Sequence, residues 1–254
     1  MAPAVSPLYL LERFDVGVVH LDNDRHVTGM NDFARRVLPV ERMQPFNRMV
    51  LSFHPERSRP KVEFLLDQAS TCPVANPPPM TMIINIPERV LLIKVARTAD
   101  GTQQPTGYVL VFYDITELVA ADEQPAPDAT AVVRRQLRKI PTVSGQNIQF
   151  IEAEDVLRLN ADGHYTRVIT AGANQFCNLS IGDLEARLDA EHFMRVHRSH
   201  IVNLRHVVQL LRVDGRLVLR LRDDETEVPV SRTSSNALMA RLGIAAAGVA
   251  SRQG

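Results

Sequence analysis

Three side chains in the N-terminal half carry donor atoms suited to iron. His54 lies in Leu51-Ser-Phe-His-Pro-Glu56, just ahead of a helical stretch and among apolar neighbours. Cys72 is followed directly by Pro73, a pair that recurs where thiolate binds ferric haem. Met82 lies in the run Met80-Thr-Met-Ile-Ile84. Imidazole, thiolate and thioether are all axial donors to haem iron. Met80 and Met82 stand two apart, so a regular strand puts both on one face, and Ile84 and Ile86 continue it. Each residue also has an ordinary reading. A methionine on a strand is usually core packing, and a histidine before proline usually sits at the surface.

The C-terminal half concentrates its chemistry in Phe193-Met-Arg-Val-His-Arg-Ser-His-Ile-Val-Asn203. Arginine matches a guanine edge through two parallel hydrogen bonds and matches phosphate by charge. A catalytic use of His164, His197 and His200 fails on inspection. No carboxylate or cysteine stands beside them at metal-ligand spacing, and His197 and His200 on one strand would point to opposite faces. Ser199 has histidines on both sides of it in sequence, but adjacency does not make a catalytic triad. The chain is expected not to be an enzyme.

The elements that must position these residues fall into two sets. Val16–Leu21 and His26–Met30 read as a hairpin around Asp22-Asn-Asp24. Asn31 or Asp32 caps a short helix carrying Phe33, Val37 and Leu38. Ser58 caps a second helix to Ala69, with Pro60 in its first turn and Val62, Leu65, Leu66 and Ala69 on one face. After Pro77-Pro-Pro79 come three strands, Met80–Ile86, Arg89–Arg97 and Gly107–Tyr113, an α+β order. The second set is β-rich: Ile148–Phe150, Val156–Asn160, Tyr165–Thr170, Gln175–Leu179, His200–Asn203, Val207–Arg212, Arg216–Leu221 and Glu227–Val230. Its helices are expected at Asp183–Leu188, capped by Ser180, and at Ser234–Leu242.

Between the sets, residues 121–130 hold two prolines and no bulky apolar side chain, as a linker would. The expected division is a domain over 1–120, a linker over 121–137 and a domain over 138–254. The 254 residues carry 29 basic and 29 acidic side chains. They divide unevenly: 12 basic and 15 acidic in residues 1–124, against 17 and 14 in 125–254. A modestly basic C-terminal half suits an anionic partner. With only 2 cysteines the chain has no disulfide framework and no four-cysteine zinc site. No apolar run reaches the roughly 18 residues of a membrane helix. The first residues lack the basic and apolar regions of a signal peptide. A cytoplasmic protein is expected, with no membrane partner.

The N-terminal order resembles a PAS domain, a five-stranded antiparallel sheet with helices. The match is carried by Gly17-Val-Val-His-Leu-Asp22, Asn31-Asp-Phe-Ala34 and the close Val111-Phe-Tyr-Asp-Ile-Thr-Glu117. The C-terminal half resembles the mostly-β LytTR DNA-binding domain over residues 138–243. Its motif has an aromatic residue, then R-x-H-[RKN]-S, a hydrophobic pair and Asn, as in 193–203. Asp162-Gly-His-Tyr165, Leu179-Ser-Ile-Gly-Asp-Leu-Glu185 and Val228-Pro-Val-Ser-Arg232 extend the match. That resemblance implies binding of double-stranded DNA through loops in successive major grooves. By position it makes Tyr165, Arg198 and Arg232 base contacts. Arg195 and His197 would position the loop or touch phosphate, and Lys139 and Arg138 would meet the backbone at the domain entrance.

The two halves together are similar to the RcoM family of carbon monoxide regulators, in which a haem-binding PAS domain joins directly to LytTR. The runs around His54, Cys72, Met82, Ile93-Lys-Val95 and Phe112-Tyr-Asp114 carry this match. It implies haem b as cofactor and His54 as the persistent axial ligand. Met82 would oppose it in ferrous haem and yield to carbon monoxide, and Cys72 would oppose it in ferric haem. It further implies a homodimeric activator of transcription. A local change at the strand or loop holding Met82 is expected to reach the second domain through the helix-like Val132–Arg138 segment. The alternatives are a PAS–LytTR regulator of redox state or another ligand, and a haem enzyme. The latter needs an open iron position with an acid or base beside it, which two protein ligands argue against.

Overall fold

A computed structural model describes residues 16–38, 44–54, 56, 59–71, 80–86, 89–121, 135–144, 147–163, 165–213 and 215–244. Cys72, Ser58, Pro77-Pro-Pro79, His164 and residues 122–134 lie outside this set. The chain divides into two compact units, Met1–Glu117 and Leu118–Gly254. Among the described residues no helix is long and apolar enough to cross a membrane.

The first unit is a PAS fold. Strands β1 (Val16–Leu21), β2 (Val27–Met30), β3 (Met80–Ile86), β4 (Arg89–Ala99) and β5 (Pro105–Asp114) form one antiparallel sheet in the order β2-β1-β5-β4-β3. Helix α1 (Asp32–Val37) and helix α2 (Arg59–Thr71) supply its cover. Asn31, not Asp32, is the cap of α1. Its Oδ1 accepts from the Ala34 amide and from the Val18 amide, each at 3.0 Å, while its Nδ2 donates to the Val16 carbonyl at 2.7 Å. One buried amide thus ties helix to strand, which is why a polar residue is tolerated there. Val62, Leu66 and Ala69 of α2 join Val19, Phe33, Leu91, Ile93, Val95 and Phe112 in the core, as the helical spacing requires. Gly17 sits opposite Phe112, whose ring occupies the place a side chain would take: a Cβ at Gly17 would lie 2.0 Å from it.

The Asp-Ile-Thr close of the first unit has a structural reason. Asp114 Oδ1 accepts from the Thr116 amide and hydroxyl, Asp114 pairs with Arg89, and Thr116 Oγ1 accepts from the Val90 amide at 2.8 Å. The end of β5 is thereby pinned to the start of β4. Helix α3 (Thr116–Val119) follows.

The second unit is mostly β, as the resemblance to LytTR domains implies. Strands β6 (Lys139–Ser144), β7 (Asn147–Glu152), β8 (Val156–Asp162), β9 (Tyr165–Thr170), β10 (Asn174–Cys177), β11 (Phe193–His197) and β12 (His200–Asn203) form a sheet ordered β11-β12-β8-β9-β10-β6-β7. A second sheet is β13 (Val207–Val213), β14 (Arg216–Leu221) and β15 (Asp224–Pro229). Leu157, Val196 and Val202 of the first meet Leu219, Leu221 and Val228 of the second, with Leu238 of helix α5 (Arg232–Arg241) completing the core. Arg158 crosses between the sheets to Asp224 and Thr226. The pair is buried, at 10% and 8% side-chain exposure, and the Thr226 hydroxyl satisfies a further guanidinium proton.

Two helices start earlier than their apolar spacing suggests. Helix α4 is Ile181–Glu185 rather than 183–188, because the Ser180 hydroxyl caps the Asp183 amide. Ser231 likewise starts α5 at Arg232 rather than Ser234. The expected helix over Val132–Arg138 is not formed in its described part. Leu137 is in an extended bridge with Ala120, the Arg138 amide donates to the Val119 carbonyl, and the Ala121 amide donates to the Gln136 carbonyl. Backbone pairing has taken the donors that a helix would need.

Candidate haem pocket and nucleic-acid interface

His54 ends a one-turn 3-10 helix, Val50–Phe53, with its amide donating to the Leu51 carbonyl at 3.1 Å. Arg59 Nε donates to the His54 carbonyl at 3.1 Å, fixing the loop to the start of α2. Leu51 and Phe53, in the turn just before it, pack against the PAS core. Burial, then the nearby Arg59 charge, pushes the imidazole pKa down, so the ring is neutral with a lone pair to give.

Met82 is buried at 3% exposure on β3 and stands opposite Ile93 of β4. Directly paired residues share a face, and Ile93 belongs to the core under α2. Met82 therefore points to the core side, as does Ile84, opposite Leu91. The side chains of Met80 and Ile86, expected on that face, lie outside the described set. Imidazole and thioether are both donors to haem iron, and the elements that carry them border one core: Leu51 and Phe53, just before His54, and Ile84, on the Met82 face of β3, all pack against it. Among the described residues no three His, Cys, Asp or Glu side chains cluster as an isolated metal ion would need.

In the second unit, strand pairing gathers three of the expected contact residues at one end of the sheet. His200, first in β12, pairs with Asn160 near the end of β8, and Asp162 pairs with Tyr165 at the start of β9. The tips of the β8–β9 and β11–β12 hairpins therefore lie side by side, joined by the Ala161 amide donating to the Ser199 carbonyl at 2.8 Å. The Ser231 amide donates to the Val196 carbonyl at 2.8 Å and brings Arg232 to the same end. Arg198 is exposed at the turn. Arg232 is exposed on the first turn of α5. Tyr165 packs edge-on against Phe176, at 6.3 Å between centroids, and Arg167 lies 4.5 Å over the same ring.

Lys139 is not part of this group. It lies on β6, beyond β9 and β10 in the sheet order, and its ammonium is 2.9 Å from Glu152. Arg138 is exposed beside it.

The histidines correct the expectation of opposite faces. His197 and His200 are on two strands, not one; they pair across the hairpin, with ring centroids 5.6 Å apart. The chain reverses at Arg198-Ser199, and reversal restores a shared face. Ser199 Oγ lies 2.8 Å from Nδ1 of His197 and 2.9 Å from Nδ1 of His200. The Ser199 amide also donates to His197 Nδ1, at 3.3 Å. His197 thus acts as an acceptor that shapes the turn, and His200 donates to the hydroxyl that satisfies it. Burial, then the charge of Arg158, then His197, lowers the His200 pKa to about 4, keeping that ring neutral. The Asn203 that closes the motif is also structural. It is buried, donates to the Val156 carbonyl at 3.1 Å and caps the next turn through the Arg205 amide.

Glu185 is the residue that sequence reasoning left without a role. Its carboxylate is 2.6 Å from Arg195 Nη1. The Leu-Glu pair at 184–185 was the available signal, but its partner ten residues on is set only by the fold.

Known proteins resemble both units. The LytTr DNA-binding domain family matches residues 146–243, and a PAS domain family matches residues 8–116. The heme-containing CO-sensing transcriptional regulator RcoM 2 of Paraburkholderia xenovorans is 39% identical over 245 residues, covering 92% of this chain and 91% of that protein. The CO-responsive transcriptional regulator RcoM of Rhodospirillum rubrum is 34% identical over 239 residues, covering 93% of this chain and 98% of that protein. A solved LytTr DNA-binding domain from Bacillus cereus is 23% identical, with a TM-score of 0.39, over 42% of this chain and 97% of its own.

Proposed function

This chain belongs to the RcoM family of transcriptional regulators, and on that premise we propose that it senses carbon monoxide through a haem b in its PAS domain and answers by binding DNA. The observation that carries the reading is the burial of Met82 on the core face of β3, over the core against which Leu51 and Phe53, just before His54, also pack. When bound, haem iron supplies a coordination position for which carbon monoxide competes with the protein's weaker donor.

His54 is the donor that stays. Its backbone is held at both amide and carbonyl, and its ring is neutral. Met82 is the donor that yields, since a thioether is neutral and weakly basic. Cys72 would supply a thiolate to the ferric group.

Met82 lies on β3, an edge strand of the sheet, so holding the group through Met82 would tether that strand. Among the described residues β3 is held by backbone bonds on one side alone, by β4, so a change in its side-chain restraint is met by one ladder rather than two. The path onward runs through β4 and Arg89 to Asp114 and Thr116, the residues that fix the end of β5. Beyond them, Val119–Ala121 pairs with Gln136–Arg138. This paired segment, rather than a helix, is the coupling element.

Tyr165, Arg198 and Arg232 read bases in this account, and His197 holds the turn. The protein acts as a homodimeric activator in the cytoplasm. The test is DNA affinity with and without carbon monoxide for the reduced, haem-loaded protein, using duplexes that it enriches from a randomised pool. A shift with carbon monoxide in wild type and none in Met82→Leu is expected. An unchanged shift in the variant rules out the switch.

A further inference from the structure

We infer that Arg195 is a positioning residue for DNA reading and that Glu185 is the carboxylate that holds it in place; this rests on the reading of DNA through Arg198 and Arg232. Arg195 lies on β11 and reaches around the hairpin turn. Its Nη2 donates to the Arg198 carbonyl at 2.6 Å, and its Nε is 3.4 Å from the His197 carbonyl. Its Nη1 donates to Glu185 at 2.6 Å. One rigid fork therefore spans two successive carbonyls of the turn and a carboxylate of α4, which the single ammonium of a lysine does not do.

The turn is held from the other side by the Ala161 amide, which donates to the Ser199 carbonyl. With the carbonyls of 197, 198 and 199 all engaged, the backbone at Arg198 has one arrangement, and its exposed side chain leaves the turn in one direction. Base readout needs that direction fixed, because a bidentate contact tolerates little misplacement. Glu185 is itself anchored: Ser180 caps α4, and Leu184 is fully buried.

The carboxylate also separates the two roles open to Arg195. A phosphate approaching Arg195 would meet a guanidinium already neutralised at 2.6 Å. If Arg195 served as a phosphate contact, removing Glu185 would free it and tighten DNA binding. If Arg195 serves to position, removing Glu185 loosens the turn and weakens sequence-specific binding. The ion pair is partly exposed, at 32% and 43%, so its loss leaves the domain folded.

The experiment uses full-length, haem-loaded protein saturated with carbon monoxide. The probes are a duplex enriched by wild type from a randomised pool and a scrambled duplex of the same length. Glu185→Ala and Arg195→Ala should each weaken binding to the enriched duplex by roughly tenfold, within the range one lost base contact produces. Binding to the scrambled duplex should stay within about twofold, and the salt dependence should be that of wild type. The double variant should be no weaker than either single one, and Arg195→Lys should not rescue. Tighter binding by Glu185→Ala overturns the inference. So does equal loss on both duplexes by Arg195→Ala with a salt slope shallower by about 0.9, the signature of one phosphate contact. A wild-type protein that enriches no sequence, with Arg198→Ala indistinguishable from it, overturns the DNA reading beneath and the inference with it.

Discussion

Met82 and Ile93 stand directly opposite one another across β3 and β4, and Ile93 is part of the core that α2 covers. Strand register, not proximity in sequence, therefore directs the thioether inward. A slip of one residue would turn it to the other face and present Ile83 instead.

Replacing Met82 by leucine nearly conserves volume, so stability should change by less than about 1.5 kcal/mol. The reduced protein should lose its six-coordinate spectrum, and carbon monoxide should no longer alter DNA affinity. Absorption spectra and a binding titration on one preparation check both.

Cys72→Ser should leave the reduced and carbon monoxide-bound spectra as in wild type and change only the ferric one. A changed reduced spectrum would contradict the assignment of this thiolate to the ferric state.

Arg198→Ala and Arg232→Ala should each relax preference at one base position, with a loss of about 1–3 kcal/mol in discrimination. Competition between the enriched duplex and its single-base variants measures this. Uniform weakening on every duplex would make these residues phosphate contacts.

Acid should weaken the C-terminal unit in two steps. The His200 ring takes up its proton near pH 6.5 when unfolded and only near about 4 when folded, so stability falls as pH drops between these values. The ring is partly exposed, and solvent screening reduces its share to about 1 kcal/mol. Burial opposes ionisation of Asp224, but its bonds to Arg158, Thr226 and the Thr226 amide prevail and hold its pKa below the usual value. Its contribution is present above the ordinary carboxylate pKa of 3.8 and is lost as pH falls through the lowered one. At neutral pH Asp224→Asn should cost about 3 kcal/mol, because it leaves Arg158 buried without its counter-charge. Urea unfolding across pH reads both effects.

Gly17→Ala should destabilise the PAS unit by roughly 1–3 kcal/mol, because Phe112 must leave the space a methyl group would enter. Thermal unfolding tests this, and a neutral result would mean that the ring moves freely.

The PAS strands and α2 were legible because their apolar periodicity is strong and local. The single strand expected at Met80–Ile86 and the face of Met82 followed from alternation alone. The β11–β12 hairpin was not legible, since the turn is Arg198-Ser199 and contains no glycine, asparagine or proline. It is closed instead by Arg195, Glu185 and the two histidines. The carboxylates beside Lys139 and Arg195, Glu152 and Glu185, are brought to them only by the fold. Within the segment expected to be helical, Leu137 pairs in an extended bridge with Ala120, a partner 17 positions earlier that local pattern does not reveal.

The most direct test of haem-based sensing is the absorption spectrum of purified, haem-loaded protein, oxidised, reduced under nitrogen, and reduced with carbon monoxide. Low-spin six-coordinate haem that shifts on addition of the gas is expected. Absence of any haem band after haem is supplied would contradict it.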